Sequence, residues 1–120
     1  MKITGKVVEG EKKARSLGFP TANVFLSEDA VPGIYAGRAE IDGISYKAAL
    51  YVSLKNPKLM EAHVLDFEGD LYGKEINLRV CDKIRDDFDI ADEEKLKEII
   101  ANDIEMVRIE LDKTNVCLPE

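Results

Sequence analysis

A chain of 120 residues with a formal net charge of −7 and 45% hydrophobic residues is sized for one domain around one core. That acidic balance argues against a nucleic-acid footprint, because phosphate backbones select basic surfaces. No apolar run has signal-peptide or membrane-spanning character, so a cytoplasmic protein with no membrane partner is expected.

In chain order, Ile3 to Val8 reads as a first strand that ends at Gly10. Residues 11–18 are polar and turn-rich, a loop suited to lie over a ligand. Ala22 to Leu26 resumes strand character until Ser27-Glu28-Asp29 breaks it. Asp42-Gly43 is a strong hairpin signal between strands at Ile34 to Ile41 and Ile44 to Val52. Asn56-Pro57 marks a turn, Glu61 to Phe67 a strand, and Glu68-Gly69-Asp70 another turn. From Glu75 to Ile84 the chain alternates Ile76, Leu78 and Val80 against Asn77, Arg79 and Cys81, the clearest half-buried strand. Cys81 is read there as a buried thiol. With only Cys81 and Cys117 there is no disulfide scaffold, and neither has metal-ligand spacing with His63.

Strands this short and closely spaced favour a closed antiparallel barrel, which removes exposed edges. After Phe88 the period changes. Leu96, Ile99, Ile100, Ile104 and Val107 recur at helical spacing, and Asp92, Glu93 and Glu94 sit where the helix dipole favours negative charge. The expected architecture is mainly β: a six-stranded antiparallel Greek-key β-barrel over about residues 1–88, with a C-terminal α-helix over 92–110 packed against it. A tail, 111–120, completes a single domain. Charge is uneven along the chain. Lys2, Lys6, Lys12, Lys13, Arg15, Arg38, Lys47, Lys55 and Lys58 concentrate cations in its first half, enough to serve an anionic small ligand.

Gly18-Phe19-Pro20-Thr21-Ala22-Asn23 is the most informative stretch. Gly18 permits close approach, Pro20 fixes the chain direction, and Thr21 and Asn23 share one strand face. A hydroxyl and an amide so placed hold a hydrated Mg²⁺ and a phosphate oxygen. The same residues also suit a loop entering a strand, with Thr and Asn serving local backbone groups.

Read with Gly5-Lys6-Val7-Val8-Glu9-Gly10, Ala14-Arg15-Ser16-Leu17, Pro32-Gly33-Ile34-Tyr35-Ala36, Glu61-Ala62-His63, Asp70-Leu71-Tyr72-Gly73-Lys74, Ile84-Arg85 and Phe88, the ordered set resembles the riboflavin kinase family. The likeness runs from about Gly5 to about Asp103. It implies transfer of the terminal phosphate of ATP to the ribityl 5′-hydroxyl of riboflavin, giving FMN. It implies Mg²⁺ or another divalent cation held by Thr21 and Asn23, and phosphates met by Gly10, Arg15, Gly18, Pro20, Thr21 and Asn23. Glu61, two residues before His63, is the implied general base, and Tyr72, Phe88 and Leu96 are the implied flavin contacts. Tyr35 is a further aromatic that suits a flat ring, and Arg85 with Asp66 suits an ion pair. His63, one copy on a half-apolar strand, suits a structural role more than a direct one.

Two departures stand out. Ala14 occupies the place of a glycine usual before the arginine, and Tyr51-Val52-Ser53-Leu54-Lys55-Asn56-Pro57-Lys58 stands where family members usually show an Asn-Ile-Gly strand end and a longer loop with a Pro-Thr pair. They leave a second expectation, a non-catalytic flavin- or nucleotide-binding barrel. The FMN adenylyltransferase module fused to many family members is not among these residues, so a monomeric, stand-alone kinase acting on riboflavin and a nucleoside triphosphate is expected, without FAD synthesis.

Overall fold

The computed structural model describes residues 2–8, 21–67, 69, 71, 73–87 and 92–113. Its strands are β1 (Lys2–Val8), β2 (Thr21–Phe25), β3 (Gly33–Ile41), β4 (Ile44–Val52), β5 (Leu59–Val64) and β6 (Glu75–Arg85). They close an antiparallel barrel in the spatial order β1-β2-β5-β4-β3-β6. Strands β3, β4 and β5 form a meander, and β6 returns to lie beside β3, which is the Greek-key arrangement.

Local chemistry explains the hairpin and the strand ends. Asp42 and Gly43 both have positive φ, 52° and 82°, as a two-residue turn of the primed type requires, and Ile41 pairs directly with Ile44. Strand β5 begins two residues before the expected Glu61 and stops at Val64, short of the expected Phe67. Asp66, in the left-handed region at φ 62°, turns the chain there.

Period-two alternation fills the barrel. Val24, Leu50, Val52, Met60, Ala62, Ile76 and Leu78 point inward and are essentially inaccessible to solvent. Each large side chain among them contributes about 1.5–3 kcal/mol by leaving water. At Ala36/Gly37 the register between β3 and β6 shifts. A Cβ on Gly37 would press on the Arg79 carbonyl oxygen and lie 2.6 Å from Leu50 Cδ1. Gly37→Ala is therefore expected to cost about 1–3 kcal/mol of stability, read from the denaturant midpoint.

Helix α1 (Glu93–Asp112) lies on the outside of the barrel. Asp92 caps it, its carboxylate accepting from the amides of Glu94 at 2.9 Å and Lys95 at 3.3 Å. Val107 and Leu111 pack over Ala36 and Ala49, with Leu65, Tyr51, Ile84 and Ile104 around them. Alanines at those strand positions let the helix approach closely. Arg108 holds Asp66 through two bonds of 3.0 Å, and Lys47 donates to Asp112 at 2.6 Å. The expected Arg85–Asp66 pair is thus not formed; each residue pairs with the helix instead.

Cys81 also departs from expectation. It is half-buried and disulfide-bonded, not a buried thiol, and sits where the register between β3 and β6 shifts, between Val80 opposite Gly37 and Asp82 opposite Ala36. The other cysteine, Cys117, lies outside the described residues.

Candidate active site

Register brings the polar residues together on the outer wall of the barrel. In β2 and β5, Asn23 stands opposite Glu61 and Thr21 opposite His63. In β5 and β4, Glu61 stands opposite Tyr51 and His63 opposite Ala49. Directly paired residues on one face have Cβ atoms about 4.5–5.5 Å apart, so each is within reach of its neighbour. Thr21, Asn23, Glu61, His63 and Tyr51 therefore form a contiguous polar surface beside the edge of α1.

Asn23 is 5% exposed, and its Oδ1 is buried with no hydrogen-bond partner. A buried amide oxygen left in that condition costs free energy unless something else engages it. A hard cation accepts such an oxygen, and the Thr21 hydroxyl on the same face is a ligand of the same type. The donor set fits Mg²⁺ better than a softer metal. Among the described residues no group of three or more His, Cys, Asp or Glu side chains forms a metal cluster. Few protein ligands plus substrate oxygens are what Mg²⁺ favours.

The Glu61 side chain remains 25% exposed, while that of His63 is 3% exposed. His63 Nε2 and Glu61 Oε1 are 2.8 Å apart, so one carboxylate oxygen is held in place. The Tyr51 ring leans on the imidazole at a centroid distance of 4.5 Å. The Tyr51 hydroxyl donates to Asp103 Oδ2 at 3.3 Å; burial, and then the Asp103 charge, push its pKa well up. Asp103 is 1% exposed and also accepts from Arg85 Nε at 2.9 Å and Nη2 at 2.8 Å. Those bonds raise the Arg85 pKa against the opposing effect of its burial. A chain of contacts thus runs from β6 through α1 to the carboxylate of Glu61.

Asp103 and Tyr51 are the members of this network that the sequence did not disclose. Asp103 interrupts the apolar face of α1, a signal that it has a buried cationic partner. Among the other expected site residues, Leu96 is half-buried in the first turns of α1. Tyr35 packs against the barrel core, and its hydroxyl donates to the Val31 carbonyl at 2.6 Å. Gly10, Arg15, Gly18, Pro20, Tyr72 and Phe88 lie outside the described residues.

Comparison with known proteins agrees with this arrangement. The riboflavin kinase (flavokinase) family model matches residues 1–111. The bifunctional riboflavin kinase/FMN adenylyltransferase of Pseudomonas fluorescens is 36% identical over 115 residues, covering 89% of this chain and 37% of its own. The protein of the same description from Escherichia coli K12 is 35% identical over 109 residues, covering 84% and 35%. Riboflavin kinase from Trypanosoma brucei superposes with a TM-score of 0.72 at 25% identity, over 96% of this chain and 79% of that one. A macrolide-efflux protein from Streptococcus pneumoniae superposes at 0.78 with 28% identity, over 89% of this chain and 38% of that one. This chain spans little more than a third, 37%, of the first of these curated relatives. Among the described residues no helix is long and apolar enough to cross a membrane. With the family model matching residues 1–111, and with Thr21, Asn23, Glu61 and His63 paired on one wall of the barrel, the chain belongs to the riboflavin kinase family.

Proposed function

We propose that this domain phosphorylates riboflavin, moving the terminal phosphate of ATP to the ribityl 5′-hydroxyl and releasing FMN. The observation that carries the reading is the direct pairing of Asn23 with Glu61 across β2 and β5. It sets the Asn23 amide, the proposed ligand of metal and phosphate, beside the Glu61 carboxylate, the proposed acceptor of the attacking alcohol's proton. Phosphoryl transfer asks for charge neutralisation and alignment more than for covalent help, and short oxygen side chains on a rigid wall supply alignment.

In this reading Glu61 orients the ribityl hydroxyl and accepts its proton as the oxygen–phosphorus bond forms and ADP leaves. His63 fixes Glu61 Oε1, leaving the second carboxylate oxygen as the proton acceptor. Thr21 and Asn23 would hold a divalent cation, which supplies charge neutralisation to the phosphates when bound. Gly10, Arg15, Gly18 and Pro20 are proposed to meet the phosphates, and Tyr72, Phe88 and Leu96 to contact the flavin. The acidic net charge supports small-molecule substrates over nucleic acid, and a cytoplasmic monomer is the proposed setting.

Asn23→Ala tests this assignment. FMN formation followed by chromatography should need at least tenfold more Mg²⁺ for half-maximal rate, while the KM for riboflavin stays within a factor of about two. An unchanged Mg²⁺ requirement removes Asn23 from the metal site.

A further inference from the structure

Cys81 carries chemistry that the kinase reading does not use. It is disulfide-bonded and half-buried, and its Sγ lies 3.8 Å from the Arg79 carbonyl oxygen. The chain holds one other cysteine, Cys117, so within one molecule the bond has a single available partner. Cys117 stands beyond residue 111, where the match to the family model ends. A link between the two cysteines is thus an addition to the part this chain shares with its family.

The barrel surface brings Cys81 within reach of the segment that follows α1. Lys47 on β4 holds Asp112, the last residue of α1, at 2.6 Å. Lys47 pairs with Arg38 on β3, and Arg38 with Arg79 on β6, two residues before Cys81. Two strand spacings of about 4.8 Å, and two residues of about 3.3 Å each along β6, separate the Lys47 position from Cys81. Residues 113–117 extend at most about 17 Å, and a disulfide spans a further ~5.5 Å between Cα atoms, so the distance is covered. This end of α1 also gains from a tie. Its last turn holds no basic residue and closes on Asp112, an acidic group at the negative end of the helix dipole.

We propose that Cys81 and Cys117 form a reversible disulfide that straps the C-terminal end of α1 to β6, a thiol-redox site that sets how firmly the helix is held on the barrel. The bond closes as the two thiols give up two protons and two electrons to a small-molecule disulfide, which leaves as two thiols. It opens by the reverse exchange, and the half-buried position of Cys81 gives an attacking thiolate access. In the cytoplasmic setting proposed above, thiols are kept reduced, and a disulfide there is a redox sensor more often than a scaffold. What the strap secures is the packing of Val107 and Leu111 over Ala36 and Ala49. The inference uses that setting and no part of the kinase chemistry.

Non-reducing peptide mapping by mass spectrometry, on protein equilibrated with oxidised glutathione and then alkylated, tests the pairing. Titration with reduced glutathione tests reversibility. The expected result is a Cys81–Cys117 cross-link within one chain that opens in millimolar reduced glutathione and re-forms with the oxidised form. Opening should lower the melting temperature by at least about 5 °C and speed amide exchange in the last turns of α1, leaving the β2–β5 amides protected. Cys117→Ser should reproduce both changes and make the chain indifferent to glutathione. Free thiols, glutathione retained on either cysteine, or a Cys81–Cys81 link between two chains overturn the pairing. A bond that resists excess reduced glutathione overturns the redox role, and a Cys117→Ser protein that melts with the oxidised chain overturns the strap.

Discussion

Replacing Glu61 with glutamine is expected to lower kcat for riboflavin phosphorylation by about 10²–10⁴-fold, the range for loss of a positioned general base. The substitution keeps the side chain's shape and its hydrogen-bonding reach to His63 Nε2 while removing the proton acceptor. Glu61 sits on a barrel wall whose inner neighbours Met60 and Ala62 carry the packing, so the fold should be preserved. The KM for riboflavin should change little, because the loss falls on the transition state. Initial rates of FMN formation, with a melting curve on the same sample, separate the two effects. A Glu61→Gln protein at full rate would remove the base assignment and leave the rest of the site intact.

The largest effect on stability is expected at the other end of the same network. Arg85→Met should cost about 3–5 kcal/mol, because it strands the Asp103 carboxylate in the barrel–helix interface. Asp103 is 1% exposed, and among the described residues its remaining donor is the Tyr51 hydroxyl at 3.3 Å. The double variant Arg85→Met/Asp103→Leu should recover most of the loss, since an apolar pair of similar volume removes the buried charge. Lys74→Met provides the contrast. Its pair with Asp42 is solvent-exposed, with side chains 44% and 72% accessible, and should be worth no more than about 1 kcal/mol. Urea unfolding midpoints read all of these. A double variant no more stable than Arg85→Met would show that the ion pair was not the source of the cost. Activity should fall too, because Tyr51 joins Asp103 to the imidazole that holds Glu61.

The sequence disclosed those parts of the fold that local chemistry decides. Asp42-Gly43 is legible because only certain residues accept positive φ in succession, and β6 because its apolar and polar residues alternate from Glu75 to Val80. The Thr21–Asn23 and Glu61–His63 pairs were visible as shared faces. What the residues did not disclose is which strands lie side by side. Alternation assigns a face, but the pairing of β2 with β5 links segments more than thirty residues apart, and nothing local fixes that register.

Charged residues illustrate the same boundary. Arg85 and Asp66 read as partners for each other, yet helix α1 supplies Asp103 to one and Arg108 to the other. A carboxylate inside an apolar helical stripe makes sense only once the strand beneath it is known to carry an arginine. Cys81 was misread for a simpler reason. The alternation that reads cleanly up to Val80 breaks at Cys81, where the register with β3 shifts, and nothing local to the sequence marks that break.

The most direct measurement is FMN formation by the purified protein with riboflavin, ATP and Mg²⁺, resolved by chromatography with ADP quantified in the same reaction. The account predicts one FMN per ADP, dependent on both Mg²⁺ and Glu61. Tight riboflavin binding with no FMN from any nucleoside triphosphate would contradict it and make the domain a flavin-binding barrel.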